Sequence, residues 1–112
     1  ILKNSKEMHT GKFKSLKNMP DIVHGTFNCS LNKGITSLEG GPKIVNGGYW
    51  CTNCSIINFK GIATTIKGCL NAFCNKINNI DDIINIEIGN DINLDYNPIE
   101  ISNDKNYKKL LI

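Results

Sequence analysis

The 112-residue chain, 12.4 kDa, is of the size that one hydrophobic core serves. Apolar residues are 40% of it, and no run approaches the roughly 18 uninterrupted apolar residues of a transmembrane helix, nor does the N-terminus read as a signal peptide. All thirteen basic residues are Lys, and Asn, Ile and Lys together make up 48 of the 112 residues, the usage of an AT-rich genome.

The net charge of +3 is weak and unevenly spread. Residues 1–20 carry +4, 21–80 carry +3, 81–104 carry −7 and 105–112 carry +3. A surface that tracks phosphates needs a continuous basic stripe with Arg among its donors, so nucleic acid is not an expected partner, and neither is a membrane. The chain opens on Ile rather than Met, which suggests processing or a longer parent chain.

In chain order, residues 1–12 lack an inward apolar pattern apart from Met8 and read as an N-terminal cap or a partial coil. From residue 13 the sequence repeats. At a shift of 22, Leu16, Pro20, Val23, Gly25, Phe27, Cys29 and Ile35 fall on Leu38, Pro42, Val45, Gly47, Tyr49, Cys51 and Ile57. A third copy follows at 21: Phe59, Ala63, Ile66, Gly68, Leu70, Ala72 and Asn75. A weaker fourth carries Ile92, Leu94, Asn97 and Ile99. The well-matched repeats span 13–80 and the weaker coil 81–101, with 102–112 expected as a C-terminal cap on a single repeat domain. Around Gly89-Asn90 the alternation of Ile84, Ile86, Ile88, Ile92 and Leu94 also permits a hairpin. The fourth coil is favoured because Asn97 and Ile99 keep phase.

Each copy holds an apolar-x-apolar-x-x-Asn/Cys unit: Phe27-x-Cys29-x-x-Asn32, Tyr49-x-Cys51-x-x-Cys54, Leu70-x-Ala72-x-x-Asn75 and Ile92-x-Leu94-x-x-Asn97. An apolar residue follows each unit, at Ile35, Ile56, Ile77 and Ile99, with one extra residue after Asn32. The apolar-x-apolar step has period two, so alternate residues point inward and stacked steps make a short-stranded parallel sheet. Asn32, Cys54, Asn75 and Asn97 form a structural ladder at the turn, where a buried Asn can satisfy backbone groups of adjacent coils. Gly and Pro between the units (Gly40, Gly41, Pro42, Gly47, Gly48) break helix, so short irregular or 3₁₀ connections are expected.

The unit resembles the leucine-rich repeat, L-x-x-L-x-L-x-x-N/C-x-L. More narrowly, the phrase S-L-E-G-x-P-x-x-V-x-G-x-aromatic-x-C is similar to repeat arrays of large AT-rich bacteriophages and some bacteria. The resemblance implies a β-rich solenoid of coils with short parallel strands and little regular helix. It implies little about function.

Five cysteines invite a zinc reading through Cys51-x-x-Cys54 and Cys69-x4-Cys74, but Cys29 and Cys51 sit at one inward position and Cys54 on the ladder. Buried, reduced thiols in an intracellular or virion-borne protein are the plainer expectation, with no metal and no cofactor. His9 and His24 belong to no nucleophile motif, His24 reads as a surface residue in the place of Asn46, and Asp81-Asp82 reads as a solvated bend. Enzymatic activity is not expected.

What remains is the outward strand face. By phase it carries Thr26, Asn28 and Ser30; Gly48, Trp50 and Thr52; Cys69, Asn71 and Phe73; then Asp91, Asn93 and Asp95. A protein-binding face of Asn28, Trp50, Thr52, Asn71, Phe73, Asn93 and Asp95 is expected, centred on Trp50 and Phe73. The alternative is that Trp50 only packs over Phe73 or a flank. The functional expectation is therefore a non-enzymatic structural or protein-interaction module, of the kind a phage virion subunit would be. A free-standing adaptor using the Trp50 face is the alternative, a small zinc-binding domain the remaining one, and a small-molecule ligand is not expected.

Overall fold

A computed structural model describes residues 5–7 and 11–99. Met8, His9 and the expected cap at 102–112 lie outside the described residues. The described chain winds as a parallel β-solenoid of about four turns at a spacing near 22 residues. Every strand is two residues long: β1 (Lys6–Glu7), β2 (Ile22–Val23), β3 (Phe27–Asn28), β4 (Ile44–Val45), β5 (Tyr49–Trp50), β6 (Thr65–Ile66), β7 (Leu70–Asn71), β8 (Glu87–Ile88) and β9 (Ile92–Asn93).

Each turn contributes one strand to each of two sheets. The apolar-x-apolar units build a five-stranded sheet in the order β1-β3-β5-β7-β9. A second, four-stranded sheet, β2-β4-β6-β8, forms from Ile22–Val23 and its repeats; the sequence reading anticipated only the first. Val23, Val45 and Ile66 were legible as inward residues, but a single inward position carries no alternation, so the second strand left no periodic signal. β8 extends one sheet and β9 the other, each in parallel register, so the segment around Gly89-Asn90 is a coil corner and not a hairpin.

The corner between the two sheets explains the repeated glycine. Gly47 N–H donates to Gly25 O at 2.9 Å and Gly68 N–H to Gly47 O at 3.0 Å. A Cβ on Gly47 would lie 2.9 Å from the backbone of Gly25 and Thr26, and one on Gly68 2.8 Å from that of Gly47 and Gly48. At Gly47 and Gly68 backbone stacks on backbone, and a Cβ would not fit between. In the fourth coil Asn90 takes this place, donating its N–H to Gly68 O at 3.1 Å.

Inside, equivalent residues stack in columns. Phe27, Tyr49 and Leu70 form one, Cys29, Cys51 and Ala72 another, and Leu16, Leu38, Phe59 and Ile80 a third, all buried. Small residues in the second column leave room for the rings of the first, where Phe27 and Tyr49 meet at 5.1 Å between centroids. Ile35, Ile56 and Ile77 are fully buried, whereas Ile57, which the 22-residue shift had matched to Ile35, is 52% exposed. The extra residue after Asn32 moves the phase by one, and burial follows the inward direction rather than the sequence shift. Among the described residues the connections hold one 3₁₀ turn, Asp81–Ile83, with Asp81 and Asp82 exposed and Ile83 buried. No helix among the described residues is long and apolar enough to cross a membrane.

Candidate binding face of the five-stranded sheet

The ladder closes the turn that leads out of this sheet. Asn75 donates through Nδ2 to Cys51 O at 2.7 Å in the preceding coil and to Ala72 O at 3.1 Å in its own, while its Oδ1 accepts Ile56 N–H at 3.2 Å. Asn97 repeats the pattern with Ala72 O at 2.9 Å, Leu94 O at 3.0 Å and Ile77 N–H at 3.1 Å. Asn32 bonds Cys29 O and accepts Phe13 N–H at 3.0 Å. These amides satisfy buried backbone groups on two coils at once.

Cys54 keeps half of this role. Its Sγ donates to Cys29 O at 3.2 Å, yet it has no oxygen to offer the preceding coil's Ile35 N–H. That N–H turns back to Asn32 O at 3.0 Å, across the coil with the extra residue. The insertion and the Asn-to-Cys change therefore compensate one another, a link that separate inspection of the two departures does not show.

Cys29, Cys51 and Cys54 are buried free thiols. The hydrogen bond with Cys54, then burial, pushes the Cys29 thiol up; burial pushes Cys51 up. Cys54 is brought down to about 7, first by the hydrogen bond from Cys29, against the opposing effect of burial and with help from the Asn32 backbone and the Lys33 charge. Cys69 is half-buried on the outward row and Cys74 at the following turn. Among the described residues no group of three or more His, Cys, Asp or Glu is placed to hold a metal ion. His24 is exposed, and its Nδ1 lies 3.1 Å from Asn46 Nδ2, in the equivalent place one coil on.

On the outward face, backbone pairing sets three rows. Thr26, Gly48, Cys69 and Asp91 share the first, since Phe27, Tyr49 and Leu70 N–H groups donate to Gly48, Cys69 and Asp91 carbonyls. Glu7, Asn28, Trp50, Asn71 and Asn93 share the second by strand register. The third is Ser30, Thr52, Phe73 and Asp95, followed by a turn residue in each coil: Leu31, Asn53, Cys74 and Tyr96.

The side chains of the second row differ in use. Asn28, Asn71 and Asn93 each accept the N–H two residues on (Ser30, Phe73 and Asp95) at 3.0, 3.1 and 3.0 Å, which ends the strand in a local turn. Trp50 stands where the coils on either side of it have Asn. A Cβ on Gly48 would lie 2.7 Å from Trp50 Nε1, so the indole rests over Gly48 and is still 38% exposed. Phe73 pairs with Tyr96, centroids 5.0 Å apart and edge to face, rather than lying under Trp50. Ser30, expected outward, is only 6% exposed, and its Oγ accepts Thr52 N–H at 3.0 Å between coils.

Tyr96 was not anticipated on the face. It is 76% exposed, and its signal lay in the turn position rather than in strand phase. Leu31, Asn53, Cys74 and Tyr96 all have positive φ, 67°, 52°, 59° and 61°. Asn tolerates this left-handed conformation; Leu, Cys and Tyr do so at about 1 kcal/mol or more each. A surface depression lined by Lys14, Ser15, Lys17, Thr36, Ser37 and Glu39 lies on the connecting segments. There the Ser15 and Ser37 hydroxyls accept the Lys17 and Glu39 N–H groups.

Comparison with protein-family models, with curated proteins and with solved structures finds no match.

Proposed function

We propose that this solenoid is a non-enzymatic protein-interaction module that docks a protein partner on the outward face of the five-stranded sheet. The observation that carries the reading is Trp50: between Asn28 and Asn71, where its neighbours hold a turn-forming Asn, this coil holds an indole over a glycine and leaves it exposed. Trp in such a setting is a rigid, amphipathic anchor of the type that dominates protein interfaces. Phe73 and Tyr96 continue the aromatic surface in the next two coils. Among the described residues, His24 lies beside Asn46 and three of the five thiols are in the core.

A second reading is a structural subunit of a larger assembly, such as a phage particle. It is supported by the leucine-rich-repeat-like unit and the S-L-E-G-x-P phrase, and in it the same face makes the contact.

The test compares tagged wild type with Trp50→Asp after incubation with extract of the source organism and chemical cross-linking. Cross-links from a partner should map around Trp50 and be lost in the variant, while circular dichroism of the variant is unchanged. Cross-links that survive Trp50→Asp remove this face from consideration.

A further inference from the structure

The charge on the sheet face is segregated in a way the net charge hides. The chain carries thirteen Lys against ten acids. Among the described residues, none of those Lys lies in the three outward rows or at the four turn positions, whereas Glu7, Asp91 and Asp95 do. Lys6 lies on the edge strand β1, in register with the inward Phe27; Lys43 and Lys67 flank strands of the second sheet, and Lys12, Lys14, Lys17, Lys33, Lys60 and Lys76 are in the connections. Apolar groups cross the same face from coil to coil: Leu31, 54% exposed, then Trp50, Phe73 and Tyr96. Asp91 and Asp95, both exposed, flank this band at the Tyr96 end.

Leu31, Cys74 and Tyr96 also hold a backbone conformation that Asn or Gly would adopt more readily. The turn by itself therefore does not ask for Leu or Tyr there. Local strain of this kind concentrates where a side chain serves recognition.

Resting on the protein-docking reading above, we propose that the partner segment is cationic and apolar, with an aliphatic or aromatic side chain over Leu31 and Trp50 and an Arg or Lys over Phe73 and Tyr96. The ring face of the exposed Tyr96 accepts a cation, and the Asp91 and Asp95 carboxylates neutralise it. An acidic segment would meet like charge and no lysine in the described outward rows. Complementary charge of this kind sets which partner binds and how fast it docks.

Trp50 is the only Trp in the chain, so its emission reports on the face directly. Three fluorescein-labelled synthetic peptides are titrated at low salt: alternating Arg and Leu, alternating Glu and Leu, and alternating Arg and Ser. The Arg/Leu peptide should bind and shift Trp50 emission, the Glu/Leu peptide should not bind, and the Arg/Ser peptide should bind at least about tenfold more weakly. Asp91→Lys/Asp95→Lys should weaken the Arg/Leu peptide about tenfold or more, whereas Asp82→Lys/Glu87→Lys, an equal change of charge off this face, should leave it unchanged.

Equal loss in the two double variants, equal binding of the Glu/Leu peptide, or no binding by any peptide overturns the proposal. So does an emission shift produced by chitohexaose and not by the Arg/Leu peptide, which would make the aromatic surface a carbohydrate platform. The broader reading fails separately. If partner cross-links depend on Trp50 but not on Asp91 and Asp95, protein docking stands and its cationic chemistry falls; if they depend on neither, both fall.

Discussion

At the scale of single residues, two departures from the repeat have opposite consequences. Tyr49 stands in the column of Phe27 and Leu70, fully buried, and its hydroxyl has no hydrogen-bond partner among the described residues. A buried hydroxyl left without a partner loses its solvation for nothing in return. Tyr49→Phe, which restores the ring of Phe27, should raise the unfolding free energy by about 1–2 kcal/mol; urea melts at pH 7 that show a loss would mean the hydroxyl has a partner. The turn residues behave differently. Leu31→Asn relieves the positive φ and should stabilise by about 0.5–1 kcal/mol. It should also remove the apolar contact at one end of the face. Chemical denaturation sets the first effect and Arg/Leu-peptide binding the second; a variant that gains no stability would place the strain elsewhere. The sequence showed Tyr49 as a member of its column but neither its cost nor the turn position of Leu31, because neither a missing partner nor a φ angle is written in residue type.

At the scale of the repeat element, the ladder couples to loop length. Cys54→Asn restores the usual ladder residue, yet the Ile35 N–H it would bind is already held by Asn32 O at 3.0 Å. The new amide would sit half-satisfied in a buried turn, so Cys54→Asn alone should destabilise by about 1–2 kcal/mol. Deletion of Gly34, which returns the coil to the length of its neighbours, should destabilise alone by a similar amount. The two together should fall short of the sum by about 1 kcal/mol or more, measured by a double-mutant cycle in urea. Strictly additive effects would show that the insertion and the cysteine are independent. Both departures were visible as spacing and residue type. Their compensation was not, because it runs through one backbone N–H whose direction depends on how the coils stack.

At the scale of the whole molecule, the thiols and the phenol tie stability to pH. Cys29, Cys51 and Tyr49 have folded-state values raised above the ordinary ones. Their contribution is complete below the unfolded values, about 8.5 for Cys and 10 for Tyr, and is lost as pH rises, since only the unfolded chain then ionises. Cys54, brought down to about 7, works the other way and contributes above its unfolded value, its share being lost as pH falls through 7. Under reducing conditions stability should therefore peak at about pH 8–9, then fall by about 1.4 kcal/mol per pH unit for each raised thiol. Cys51→Ala, which copies Ala72 one coil on, should remove about half of that early alkaline slope; an unchanged slope would assign it to other groups. The sequence by itself determined the solenoid, its period, its inward columns and the ladder, because a parallel in-register stack asks the same thing of the same position in every coil and so writes itself as repetition. It also placed Trp50 and Phe73 on the outward face, through the period-two alternation of a strand. Only the tertiary structure decided the second sheet, the burial of Ser30, the seat of Trp50 over Gly48 and the addition of Tyr96 to the face. Each of these depends on where one coil lies against the next, or on a backbone angle at a turn, and neither has a period that residue types can record.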